Sequence, residues 1–191
     1  MRREDIMPFA ISESQDIARY LSGVSCVTAS SFADEIIGAK RIFIGGAGRS
    51  FLPMKMLAMR LMQLGLETYL AGEVCTPGVK VGDLFIAASC SGTTEITCMQ
   101  ANKARAAGAR LAIITAGEDK CIAECLVRFP DPFQFQEGWN DEMPVTRATI
   151  RSPKSLFESA LLMFSDAIVE YLKGYYNMTH ADMHKNHANL E

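Results

Sequence analysis

Two short segments carry residues suited to gripping an anion. The first is Gly45-Gly46-Ala47-Gly48-Arg49-Ser50, which follows an apolar run and precedes a helical pattern. Glycines let the backbone approach a ligand, and the following helix aims its free N–H groups at it. Arg49 and Ser50 add a charge and a hydroxyl. The second is Ser89-Cys90-Ser91-Gly92-Thr93-Thr94-Glu95, with four hydroxyls at the end of another apolar run. One hydroxyl is enough to cap a helix; four suggest a ring of donors around phosphate oxygens. Taken singly, the first segment also fits a tight turn without a ligand, and the second fits helix capping within a polar loop.

Neither segment is a nucleotide loop. The G-x-G-x-x-G pattern fails because Phe51 stands where its third glycine belongs, and no G-x-x-x-x-G-K-[ST] run is present. Neutral donors and helix dipoles on two neighbouring strand ends suit a compact sugar phosphate. His180, His184 and His187 recur at i, i+4 and i+7, the spacing of one helical face. That spacing admits a metal site, although no cysteines or carboxylates cluster with them; a solvated terminal helix is the plainer reading. No metal and no cofactor are expected.

The elements that position these residues follow from the hydrophobic pattern. The chain has 191 residues, 49% of them apolar and 21% charged, with a net charge of −3. Ordinary globular composition excludes a disordered chain, and the absence of a basic excess argues against nucleic acid as the main partner. The six cysteines form no C-x-x-C pair, and Cys121 and Cys125 have a spacing that also suits one helical face. No secretory signal and no apolar run long enough for a membrane are visible, so no membrane partner and a cytoplasmic location are expected.

The first forty residues read as helix with a break near Gly23. Short apolar runs then alternate with helical patterns: strands at 42–44, 68–70, 84–88, 111–114 and around 126–129, and helices at 53–64 and 94–107. From 130 to 153 the pattern is lost. A strong helix follows at 154–173, then a polar tail ending in a shorter helix near Asn186. Strands alternating with helices predict a parallel α/β fold, a three-layer α/β/α sandwich with helices on both faces. One domain over 1–191 is expected, with an N-terminal helical segment at 1–39 and a C-terminal helical tail at 174–191. Met54, Met56, Met59 and Met62 read as core and interface packing.

With these residues in view, the chain resembles the sugar isomerase (SIS) family, and within it the 6-phospho-3-hexuloisomerases. The resemblance rests on AKRIFIGGAGRS, AMRLMQLGLETYLAGEVCTPGVKVGDLFIAASCSGTTE, SLFESALLMFSDAIVE and the tail HKNHANL. It implies a five-stranded parallel sheet of flavodoxin-like type and a homotetramer, a dimer being the smaller alternative. It also implies interconversion of D-arabino-hex-3-ulose 6-phosphate and D-fructose 6-phosphate, the step that follows formaldehyde fixation in the ribulose monophosphate pathway. Carried onto matching positions, Ser50, Ser89, Ser91 and Thr94 hold the phosphate, with Gly48, Arg49, Gly92 and Thr93 beside them. Glu158 is the implied acid/base, and His187 is implied to reach an active site, that of a neighbouring subunit. Cys90 stands where the family usually has glycine.

The proposed chemistry needs one base within reach of two adjacent carbons and donors for the enediolate oxygens. Glu158 lies on a helix that is apolar nearly all round, so partial burial and a raised pKa are expected. Its plainer role is an i,i+4 pair with Lys154. Two alternatives remain open: an aldose–ketose phosphosugar isomerase of the same family, and a sugar-phosphate sensor without chemistry.

Overall fold

The computed structural model describes residues 6–137 and 153–190. Five strands form one sheet: β1 (Ile42–Gly45), β2 (Thr68–Leu70), β3 (Leu84–Ser89), β4 (Arg110–Thr115) and β5 (Cys125–Arg128). Every pairing is parallel, and the order is β2-β1-β3-β4-β5. Seven helices accompany them among the described residues: α1 (Ile6–Leu21), α2 (Cys26–Ile37), α3 (Gly48–Gln63), α4 (Glu95–Ala106), α5 (Pro132–Glu137), α6 (Pro153–Tyr175) and α7 (His180–Lys185).

The strands β1, β3 and β4 are almost wholly buried, as their uninterrupted apolar runs require when both faces are covered. Alternate side chains divide between two cores. Ile42, Ile44, Leu84, Ile86, Ile114 and Val127 face the layer built from α2, α3 and α6. Phe43, Phe85, Ala87, Leu111 and Ile113 face α4, whose Ala101 and Ala104 allow close approach. An aromatic cluster ties the larger layer together. Phe129, just after β5, meets Tyr20 of α1 and Phe157 and Phe164 of α6 edge-on, with centroids 5.5–5.9 Å apart. The Tyr20 hydroxyl donates to the Pro130 carbonyl at 2.5 Å, and burial drives its pKa well above the usual range.

Several boundaries differ from the sequence expectation. Helix α3 begins at Gly48, five residues before Pro53, which lies inside it. Proline favours helix starts, but here the glycine turn has already reversed the chain and Phe51 packs against the core. Gly48, Arg49 and Ser50 therefore lie on the first helical turn, not on a loop. Of the four methionines on α3, only Met54 is core; Met56, Met59 and Met62 form an exposed stripe with Leu52. A short helix, α5, occupies the start of the patternless segment, and the remainder of that segment, 138–152, lies outside the described residues. Cys121 and Cys125 share no helix, because Cys125 opens β5.

At the opposite edge of the sheet from the glycine turns, Arg41 and Asp83 precede β1 and β3. Arg41 grips the carboxylate with two donors at 3.0 and 2.5 Å, and the Lys80 N–H donates at 2.7 Å. Burial opposes the charge on Asp83, but these donors outweigh it and hold the carboxyl below its ordinary value of 3.8. A depressed pKa stabilises the fold above the unfolded value and loses that contribution as pH falls through the folded one. Asp83→Asn is expected to lower the thermal midpoint at pH 7, with the gap to the unmodified protein closing as the pH is taken below about 3.8. Thermal melts across that range are the measurement; a constant gap would contradict the ion pair's role.

Candidate active site

In an open parallel sheet a crevice forms where neighbouring strands send their connections in opposite directions. Here β1 leads to β2 on one side and β3 leads to β4 on the other, so the crevice lies between β1 and β3. Gly45 is level with Ala87 in their register. Both anion-type segments therefore leave the sheet side by side at its carboxyl edge.

Both helix N-termini at this edge lack a side-chain cap. The residue before α3 is Ala47, which has no polar side chain to offer, and Thr94 before α4 makes no capping hydrogen bond. The Thr94 hydroxyl instead meets the Ser89 hydroxyl at 2.9 Å. The N–H groups of both first turns remain for an outside acceptor, which favours the anion reading of each segment over the capping one. Ser91 and Thr93 pair at 3.1 Å, and the Gly92 N–H donates to Ser89 Oγ at 3.1 Å. Ser89, Ser91, Gly92, Thr93 and Thr94 thus form one compact turn. Gly46 donates its N–H to Gln100 of α4 at 3.1 Å, which ties the first turn to the second.

A third strand end supports this turn. The N–H groups of Ala116 and Glu118, after β4, donate to the carbonyls of Cys90 and Ser91 at 3.2 and 3.1 Å. Thr115 Oγ1 accepts from Gly117 N–H at 3.0 Å, and Arg128 donates to the Gly117 carbonyl. The two loops touch so closely that only glycine fits on either side. A Cβ at Gly92 would lie 1.6 Å from the Glu118 carbonyl oxygen, and one at Gly117 would lie 2.3 Å from that of Ser91. Gly92 also has φ +69°. Sequence reading missed Thr115, Gly117 and Gln100. Thr115-Ala116-Gly117 did carry a signal, being a small-residue turn at a neighbouring strand end; Gln100 carried none.

Helices α3 and α6 pack along their lengths, and this brings Glu158 to the crevice. Its carboxylate is 12% exposed and accepts from Arg49 Nε at 2.5 Å. Arg49, itself 71% exposed, also reaches Ser155 Oγ at 3.4 Å. The expected pair between Glu158 and Lys154 is replaced by this cross-helix one. Cys90 lies beside the same groups and packs against the larger core. Burial pushes its thiol up to about 11; Glu158 and Asp131 add to the shift and Lys154 opposes it. Cys90 is therefore a neutral thiol at physiological pH.

His187 is not brought to this cluster within one chain. Helix α7 ends at Lys185, so His187 lies beyond it and the three histidines share no single helical face. His184 and His187 stack at 5.9 Å, while His180 Nε2 faces Lys173 Nζ at 3.3 Å. Asn186 Nδ2 donates to the Gln63 carbonyl at 3.0 Å, which fixes the tail at the far end of α3. Gly48 and Gln63 are separated by about 22 Å of helix. Among the described residues, no group of three or more His, Cys, Asp or Glu side chains could hold a metal ion. None of the described helices is long and apolar enough to cross a membrane.

The geometry predicts that Gly92→Ala damages binding at the crevice. The left-handed backbone and the Glu118 carbonyl both oppose a Cβ, so affinity for a sugar phosphate is expected to fall about tenfold or more. Calorimetric titration with fructose 6-phosphate, with circular dichroism to verify folding, measures this; unchanged affinity would refute the packing argument.

No protein-family model matches the chain. Whole-chain relatives do. The chain is 33% identical to the 3-hexulose-6-phosphate isomerase of Bacillus subtilis, over the full length of both proteins. It is 35% identical to that of Methylomonas aminofaciens, covering 90% of this chain and 94% of the relative. Among solved structures, a Methanococcus jannaschii protein with an inferred function of 3-hexulose-6-phosphate isomerase superposes with a TM-score of 0.73. It shares 26% identity and covers 97% of this chain and 98% of its own. The sheet order, the paired loops at its switch point and these likenesses together place the chain in the 3-hexulose-6-phosphate isomerase family of the sugar isomerase fold.

Proposed function

We propose that the protein interconverts D-arabino-hex-3-ulose 6-phosphate and D-fructose 6-phosphate without a cofactor, in the cytoplasm, as the step after formaldehyde fixation. The observation that carries the reading is the pairing of an anion-type crevice with a carboxylate beside it, in a chain matched end to end by isomerases. The full-length likeness favours an isomerase over a sensor.

In this reading the phosphate lies between the first turns of α3 and α4. Ser50, Ser89, Ser91, Thr93 and Thr94 supply hydroxyls, and Gly48 and Gly92 supply close backbone approach. The protein needs no net positive charge for this, since helix N-termini and neutral donors favour the dianion. Glu158 takes the proton from C2 of the 3-ketose, forming a 2,3-enediol, and returns it to C3. A hydroxyl proton moves from O2 to O3 in the same cycle, leaving the carbonyl at C2. Arg49 orients the carboxylate through its 2.5 Å contact and, being mostly exposed, is available to the developing enediolate oxygen. Cys90, a neutral thiol, adds bulk beside the base and no charge.

His187 serves the oxygen-to-oxygen proton transfer from a neighbouring subunit in a homotetramer. Its own chain holds it at the far end of α3, and an apolar stripe of Leu52, Met56 and Met59 on that helix is exposed. Burying such a stripe between copies is a usual fate of an apolar surface patch.

The testing experiment supplies hexulose-phosphate synthase, formaldehyde and ribulose 5-phosphate, and couples fructose 6-phosphate through glucose-6-phosphate isomerase to NADPH. NADPH formation that depends on this protein is the expected result; none, with the synthase active, rejects the substrate. Glu158→Gln is expected to lower kcat by about 10²–10⁴-fold while fructose 6-phosphate still binds by calorimetry. Near-normal turnover in that variant would reject Glu158 as the base. Mixed oligomers of Glu158→Gln and His187→Ala chains, refolded together, are expected to regain part of the lost activity. If each site were built from one chain, mixing would restore none.

A further inference from the structure

Behind the phosphate turn lie two thiols that the proposed chemistry does not use. Cys98, on the first turns of α4, and Cys121, after β4, have their sulfurs 3.6 Å apart. Cys121 S–H points to Cys98 Sγ, and Cys98 S–H points on to the Gly92 carbonyl, also at 3.6 Å. A relay of two weak sulfur hydrogen bonds thus ends inside the turn that carries Ser89, Ser91 and Thr94. Burial pushes the Cys121 thiol up to about 12, so it rests as a thiol, and Cys98 is half-buried beside it.

The surroundings determine which side of the pair moves. Arg105 of α4 donates to the carbonyls of both Cys121 and Ile122. Ile122 is a β-branched residue held at φ +50°, a conformation kept only where its surroundings impose it. Cys121 is therefore clamped. Closing the sulfurs to a bonded distance of about 2.05 Å must draw on the first turn of α4 and on Gly92, whose carbonyl loses its S–H donor.

We propose that Cys98 and Cys121 form a reversible disulfide on exposure to hydroperoxides, and that this bond weakens sugar-phosphate binding at the adjoining turn. Two thiols and one hydroperoxide molecule yield the disulfide: the peroxide oxygen oxidises Cys98 to a sulfenic acid with release of water or an alcohol. Cys121 sulfur then attacks the Cys98 sulfur, and the departing hydroxide takes the Cys121 proton as water. A thiol reductant reverses the bond. Cys98 is only partly accessible and Cys121 is buried, which slows the reaction, so the site answers sustained peroxide and not brief pulses. The bond itself is independent of the proposed activity; its effect on substrate rests on the phosphate reading given above.

The test uses the full-length chain carrying Cys26→Ser and Cys75→Ser, which removes the two exposed thiols. After hydrogen peroxide, unreduced tryptic peptides 81–103 and 121–128 are expected to be joined, with fragmentation placing the bond at Cys98 and Cys121. The same sample is expected to show KM raised about threefold or more with kcat little changed, both reversed by dithiothreitol. Cys98→Ser and Cys121→Ser, made separately, are each expected to lose the cross-link and the KM response. Absence of the cross-link, its formation through Cys90 or Cys125 instead, or a cross-link with unchanged KM would overturn the proposal. Should the reduced protein isomerise no hexulose phosphate, fructose 6-phosphate affinity by calorimetry replaces KM. The failure of the proposed activity is thereby kept apart from the failure of the thiol pair.

Discussion

The candidate site depends on the parallel pairing of β1 with β3. That register sets Gly45 level with Ala87, and the chain leaves the two strands toward opposite sides of the sheet. Right-handed crossovers carry each following helix back over the sheet, so two helix N-termini converge on one crevice. The ion pair of Arg41 and Asp83 secures the same two strands at their other ends. An altered register would still bury an apolar sheet, but it would separate the glycine turn from the hydroxyl turn.

Once the two turns are side by side, the surrounding structure restricts their movement. The loop after β4 donates two backbone N–H groups into the Cys90–Ser91 backbone, and Gly92 and Gly117 are the only residue type that lets the loops approach so closely. Hydroxyls that are held in place before a ligand arrives need little ordering when it binds. The same tightness gives the Cys98–Cys121 pair its leverage, because a rigid turn transmits a displacement that a flexible loop would absorb.

The proposed base, Glu158, is positioned by a different part of the fold. Glu158 reaches the crevice because α6 packs along α3 and because Phe129, Phe157, Phe164 and Tyr20 hold α6 against β5 and α1. Its partner Arg49 comes from the first turn of α3, so one helix provides both an uncapped N-terminus at the crevice and the group that grips the carboxylate. This economy depends on α3 starting at Gly48, five residues earlier than the proline suggests.

Much was legible in the residues themselves. Apolar runs alternating with helical patterns determined the parallel α/β class, because strands buried on both faces must be apolar throughout. Gly45–Ser50 and Ser89–Thr94 marked the anion-type turns through their joint placement on neighbouring strand ends, since either one alone also fits a tight turn or a helix cap. Tertiary structure alone decided what touches them. The Arg49–Glu158 pair spans 109 residues, and the Gly92–Glu118 contact depends on strand order; local spacing encodes neither. The i,i+4 spacing of Lys154 and Glu158 predicted a pair that the cross-helix partner displaced. The regular spacing of the histidines likewise predicted a shared face, which ended when Asn186 turned the tail onto Gln63. Periodicity reports which face of an element is buried, whereas partners far apart in sequence are chosen by how those faces pack together.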